Sequence, residues 1–243
     1  NNTAVGYAAL DANTTGSQNV AFGSNALGSN TTANDNAAFG SGALSNNTTG
    51  TKNTAIGRGV LNANTTADNN TGVGYFALVS NTTGASNTAV GSIALDANTT
   101  GAKNVALGYA ALTDNTTGSN NVAIGENCLA DNTTANNNVA IGMDALRLNT
   151  TGTNNTAVGN ECLKSITTNS YCTAVGDFAL ATNTSQYMTA FGTQALGDNT
   201  TGENSTALGF RALRLNTTGS KNTAVGYDAL YTPTTANSNT AVG

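Results

Sequence analysis

The sequence predicts an all-β fold, a parallel β-solenoid (β-roll or β-helix) of 17-residue coils. Three observations predict it. An apolar residue followed by Gly recurs at a fixed short spacing, which marks stacked repeats. β-Branched Thr fills the stretches between, and helix formers and caps are missing from them. The apolar-Gly pair ends at Gly6, Gly23, Gly40, Gly57, Gly74, Gly91, Gly108, Gly125, Gly142, Gly159 and Gly176. One residue is then missing, and the series resumes at Gly192, Gly209, Gly226 and Gly243. Residues 2–238 thus form fourteen coils and 239–243 open a fifteenth. The whole of 1–243 reads as one solenoid segment, a fragment of a longer fibre on the order of 67 Å at the ~4.8 Å spacing of stacked strands.

The coil 138–154, NVAIGMDALRLNTTGTN, shows the elements in order. Counting Asn138 as position 1, Val139, Ala140 and Ile141 form a short extended run closed by Gly142. Position 4 is always Val, Ile, Leu or Phe, and position 3 is always Ala except at Gly72. Neighbours on a strand face opposite ways. One face therefore carries large apolar groups, and the other has an opposing wall or another chain too close for more than a methyl. The expectation is that Ile141 and its equivalents are buried, together with the Leu that occupies position 9 in every coil from Leu10 to Leu230. Gly at position 5 implies a corner with positive φ or close backbone approach. Asn-Thr-Thr then makes a polar arm ending in a turn. Two or three short strands per coil would satisfy this pattern. The missing residue falls after Asn183-Thr184-Ser185, as expected of a deletion at a corner.

Composition narrows the function. Charged residues are 9%, Trp and His are absent, and Asp and Glu are dispersed, so no catalytic, cofactor or metal site is expected and the chain does not read as an enzyme. A thinly spread net charge of −5 offers no basic patch for nucleic acid. No run of 18 apolar residues implies membrane insertion of this segment, and no signal peptide opens it. Cys128 and Cys162 share a repeat position two coils apart, roughly 9.6 Å and beyond bridging range. Cys172 replaces the Asn that opens its coil. With only two large apolar groups per coil, the core is small, which favours association of several chains.

Two left-handed families resemble this pattern. Ile141-Gly142-Met143-Asp144-Ala145-Leu146 resembles the unit of the hexapeptide left-handed β-helix, although that family places three such units in each coil. Asn121-Val122-Ala123-Ile124-Gly125 and Asn138-Val139-Ala140-Ile141-Gly142 resemble more closely the head repeats of trimeric autotransporter adhesins and related phage and viral tail-fibre repeats. That resemblance spans the chain. It implies a left-handed parallel β-roll, three chains side by side, extracellular on a cell surface or virion. The coils here are about three residues longer than those of the adhesin heads, through the Asn-Thr-Thr arm.

Asn-Thr-Thr also matches the N-glycosylation sequon at Asn13, Asn30, Asn47, Asn64, Asn81, Asn98, Asn115, Asn132, Asn149, Asn199 and Asn216, with a Ser form at Asn183. Ile166-Thr167-Thr168 and Pro233-Thr234-Thr235 keep the Thr pair without the Asn, which favours a corner-and-ladder role. Adjacent Thr residues point oppositely, leaving one outward Thr column where an ice-binding face needs two. Tyr7, Tyr75, Tyr109 and Tyr227, with Phe210, follow the Gly corner as exposed aromatics or receptor contacts. The resulting expectation is a structural or adhesive surface fibre that pairs with itself as a homotrimer, with a host-surface receptor or glycan as a further partner. The alternatives are a solenoid recognising ice or glycans through its Asn/Thr face, and a self-assembling extracellular filament.

Overall fold

The computed structural model describes residues 1–232 and 235–243, so Pro233 and Thr234 of the last Thr pair lie outside the described residues. Each coil contributes one three-residue strand. The chain divides into two compact units, Asn1–Asn121 and Val122–Gly243. The first holds β1 (Thr3–Val5), β2 (Val20–Phe22), β3 (Ala37–Phe39), β4 (Thr54–Ile56), β5 (Thr71–Val73), β6 (Thr88–Val90) and β7 (Val105–Leu107). The second holds β8 (Val122–Ile124), β9 (Val139–Ile141), β10 (Thr156–Val158), β11 (Thr173–Val175), β12 (Thr189–Phe191), β13 (Thr206–Leu208), β14 (Thr223–Val225) and β15 (Thr240–Val242). Within each unit consecutive strands pair in parallel, each repeat position over its own equivalent, as in Thr54↔Thr71 and Val139↔Thr156. Each unit is a parallel β-solenoid. Among the described residues there is no helix, and the Asn-Thr-Thr arm forms no second strand. Its amides still bridge coils: Thr48 N and Thr49 N both donate to Thr65 O, at 2.9 and 3.2 Å.

The inside and outside of the strand are reversed from the sequence expectation. Position 3 is the interior: Ala21, Ala38, Ala55, Ala89, Ala123 and Ala140 have no exposed surface. Position 4 faces out, with Ile56 at 42% and Ile141 at 36% exposure. The restriction to a methyl is real, and the close wall belongs to the same chain. A Cβ on Gly72 would collide with Cγ1 of Val60, at position 8 of the coil before. Position 8 is otherwise Ala or Cys, so the single Val is met by the single Gly. Opposing walls are so close that the two small columns fill the space between them.

Leu at position 9 supplies the large core column, fully buried from Leu27 to Leu163 and buried again at Leu180, Leu196 and Leu213. It adopts φ near +50, for instance 54° at Leu95 and 52° at Leu146. This left-handed conformation costs a non-Gly residue about 1–2 kcal/mol. Burying Leu contributes about 1.5–3 kcal/mol and offsets it. The Gly corner has two causes. Gly125 lies at φ +134, and a Cβ there would stand 2.6 Å from Gly142 O in the coil above.

Two columns of buried Asn complete the interior. At position 12, Asn98 Nδ2 donates to Asn81 Oδ1 (2.7 Å) and to Gly101 O (3.0 Å). At position 1, Asn87 Oδ1 accepts from Asn104 N (2.9 Å), while Asn87 Nδ2 donates to Gly101 O (2.9 Å). Buried polar groups are tolerated only when paired, and these ladders pair them coil after coil. The shortened coil preserves the scheme. Asn183 Nδ2 reaches Ser185 O at 2.7 Å, so Ser185 stands where Gly or Ala normally does and the missing residue is the second Thr, earlier than the sequence reading placed it. Ser185 Oγ also donates to Gly202 O (2.6 Å), replacing the donor lost where Met188 takes the place of Asn.

Candidate interaction surfaces

Because position 3 faces inward, positions 2 and 4 of every strand face outward together. In the first unit position 4 builds a column of Val5, Phe22, Phe39, Ile56, Val73, Val90 and Leu107. In the second it runs Ile124, Ile141, Val158, Val175, Phe191, Leu208, Val225 and Val242. Phe22 and Phe39 stack at 5.3 Å between centroids. Beside this column runs position 2, a mixture of Thr, Val and Ala. The face is thus a strip of large apolar groups repeating at the strand spacing, with few charges nearby. Scattered exposed apolar residues are ordinary, but a contiguous strip is characteristic of an interaction surface.

The corner aromatics lie two residues beyond that column, past the Gly. Tyr7, Tyr75, Tyr109, Tyr227 and Phe210 are all exposed. Some are held by cations: Arg58 lies 5.9 Å from the Tyr75 ring centroid and 5.6 Å from that of Phe76. Arg211 lies over Phe210, Tyr227 and Tyr231 and pairs with Asp228, whose hydrogen bond holds the guanidinium pKa above its ordinary value. These contacts set the guanidinium groups over the aromatic rings.

The sequon asparagines are interior groups. Asn30, Asn47, Asn64, Asn81, Asn98, Asn115, Asn132, Asn149, Asn183, Asn199 and Asn216 are all buried. Asn13, on the first coil, is half-buried, and its amide nitrogen donates to Gly16 O. Their side-chain amides point into the ladders, where a glycan would displace the hydrogen bonds that hold adjacent coils. Of the two Thr residues, the first is half-buried or exposed and turns its hydroxyl to the next coil, as Thr99 Oγ1 does to Thr116 O (3.0 Å). The second is exposed in every described coil that has it, and the Thr residues at position 2 of the strands also face outward, so outward Thr is not confined to the one column expected from the sequence.

No chemistry gathers at the thiols. Burial pushes Cys128 and Cys162 up to about 12 and Cys172 to about 11, so they remain protonated at neutral pH. Cys162 Sγ and Cys172 Sγ donate to the carbonyls of Ala174 and Ser185, each at 3.3 Å. Among the described residues no three His, Cys, Asp or Glu come together to hold a metal ion, and no helix is long and apolar enough to cross a membrane.

Sequence reasoning missed one concavity. In the second unit a cleft of about 380 Å³ lies between the position-7 and position-10/11 columns, with Phe178, Gln194, Lys164, Asp198 and Arg214 among its walls. The signal that could have found it is the clustering of long charged side chains around Ala181 and Gly197 in a chain with few charges. The first unit has a matching but plainer depression lined by Asp11, Asn25, Gly28 and Ser45. In comparison with known proteins, no family model, no curated protein and no solved structure matches this chain.

Proposed function

We propose that the chain is a segment of a structural and adhesive surface fibre, held together laterally by the outward apolar strip. The observation that carries this reading is the strip itself, exposed in both units. In the first unit Val5, Phe22, Phe39, Ile56 and Val90 are 37–54% exposed and Val73 and Leu107 half-buried, so the apolar groups follow one another along the column without a break. A contiguous exposed apolar patch of this kind marks an interaction surface. A partner that matches one large group every strand step must share the step, and another copy of the same chain does so by construction. The Val-Ala-Ile-Gly resemblance to trimeric adhesin heads supports three copies and an extracellular setting. With position 4 outside, three strips meeting at a common axis would bury Val, Ile, Leu and Phe against their equivalents. Many weak surface contacts along such an assembly add up through avidity.

Mass measurement of the purified chain at dilute concentration tests this. Three times 24.1 kDa is the expected result. Ile56→Glu and Ile141→Glu, each adding a charge to the strip, should shift the population to monomer while the coil stays folded. A stable wild-type monomer rejects the proposal, and open-ended growth favours the self-assembling filament. The Asn/Thr-face alternative for ice is weakened by the buried Asn ladders, which take the Asn side chains off the surface. It is further weakened by Phe22, Phe39 and Phe191, which interrupt a flat array on the strand face.

A further inference from the structure

We infer that the cleft of the second unit binds a neutral pyranose ring of a glycan. This deepens the adhesive part of the proposed function but stands apart from self-association. Position 10 in four successive coils is Lys164, Ala181, Gly197 and Arg214. Two small residues between two long cations make a notch, and three strand steps set its ends about 14 Å apart. Four of the chain's 21 charged residues (8 basic and 13 acidic) sit at this one notch, so it departs from the repeat in composition as well as shape.

The charges there cancel in pairs. Lys164 Nζ lies 3.0 Å from Glu161 Oε2, and Arg214 Nε lies 3.9 Å from Asp198 Oδ2. A ligand entering the notch meets hydrogen-bond donors and acceptors of both signs but no net charge. Phe178, half-buried on one wall, adds an apolar ring, and Gln194 beside it adds an amide that both donates and accepts. A pyranose matches this combination. Its C–H face covers an aromatic ring, while its hydroxyls donate to Asp198 and Glu161 and accept from Arg214 and Lys164. The volume is within the range of small-ligand pockets. The plainer depression of the first unit has polar walls but neither ring nor cation, so it provides an internal control.

Amide chemical-shift mapping of the full 243-residue chain tests the inference. The probes are methyl galactopyranoside, methyl mannopyranoside, methyl N-acetylglucosaminide and methyl glucuronide, each titrated to about 50 mM so that millimolar affinity is seen. Saturable shifts confined to the neighbourhood of Phe178, Gln194 and Asp198 with a neutral glycoside are expected. Ala181→Arg should fill the notch and weaken binding at least tenfold. Phe178→Asn, which suits the φ of +56 at that residue, should do the same. Ser45→Arg in the first unit should leave binding unchanged. No saturable shift with any neutral glycoside overturns the inference, as does binding of the glucuronide alone or binding that survives Ala181→Arg. Oligomeric state is measured separately, so loss of the trimer would not be mistaken for loss of the cleft.

Discussion

Gly72 and Val60 form a compensated pair, and a double-mutant cycle would measure how tightly the coil interior is specified. In Gly72→Ala the new methyl would sit roughly 1 Å inside the ~3.5–4.0 Å optimum separation from Val60 Cγ1. Val60 is fully buried and β-branched, so it has little freedom to give way. Overpacking of this kind costs about 1–3 kcal/mol, reduced by the 0.5–1 kcal/mol that Ala gains over Gly in a strand. Val60→Ala removes two buried methyl groups, about 1.6 kcal/mol before any cavity contribution. The double variant restores the Ala-against-Ala pairing of the neighbouring coils and should be at least as stable as the starting protein. The expected coupling is therefore about 2 kcal/mol or more, well above the 0.3–0.5 kcal/mol scatter of independent sites. Solenoids need not unfold in one step, so hydrogen exchange at β4, β5 and β6 is the suitable assay alongside urea denaturation. Additive single effects, or a neutral Gly72→Ala, would refute the close intrachain wall.

Four other outcomes follow from the same geometry. Asn98→Ala removes the donor to Asn81 Oδ1 and the acceptor of Asn115 Nδ2, and should cost about 2–4 kcal/mol by urea titration. Ile166→Asn should stabilise by about 0.5–2 kcal/mol, because Ile166 interrupts the position-12 ladder and leaves buried Asn149 Oδ1 without a hydrogen-bond partner; an unchanged or lower melting temperature would count against the ladder account. Ile93, β-branched at φ 51, should be improved by about 1 kcal/mol on replacement by Gly, read by thermal melting. Burial raises the folded-state pKa values of the three thiols to about 11–12, above the ordinary thiol value of ~9, so they bind their protons more tightly when folded. Their contribution is fully present below pH 9 and is lost as pH rises toward 11–12, a loss that a triple Cys→Ala variant should lack when stability is titrated against pH.

The period, the Gly corners and the buried Leu column were legible in the sequence because each rests on a repeated geometric demand. The facing of the strand was not. A three-residue strand offers one residue to one side and two to the other, and the usual preference for large apolar groups inside points the wrong way when the roll is only methyl-deep. The corrective signal was present in the substitutions. Position 4 passes from Val to Phe with no matching change elsewhere, which a close-packed interior does not permit. Position 3 changes once, at Gly72, and does so opposite the only Val at position 8. The Asn ladders were open to the same reading. Asn is lost at five places in these two columns, to Ile166, Cys172, Met188, Ser205 and Pro233, and three of the replacements (Ile166, Cys172 and Met188) are apolar residues that a polar surface would not assign there. The notch was only half legible: its charges cluster in the sequence around Ala181 and Gly197, but its shape depends on columns 7, 10 and 11 lying side by side, a relation set by the path of the coil.

This division of the coil also locates function. Positions 1, 3, 5, 8, 9, 12 and 15 face inward or form corners, and each is bonded to or packed against its own copy in the next coil. A change there is felt along the stack, so these columns vary little and carry the fold. Positions 2, 4, 6, 7, 10, 11, 14 and 16 look outward and accept more varied residues, with only local fitting such as Gly59 beneath the Phe76 ring of the next coil. Position 6 accepts Tyr7, Arg58, Glu126 and Met143 alike, and position 10 accepts Gly28, Asp96 and Arg214. A scaffold built in this way can change its contacts coil by coil without renegotiating its core. The apolar strip is uniform, as the proposed side-by-side matching of identical chains would require. The notch is local, which suits the single ring proposed to bind there, since it spans only a few strand steps.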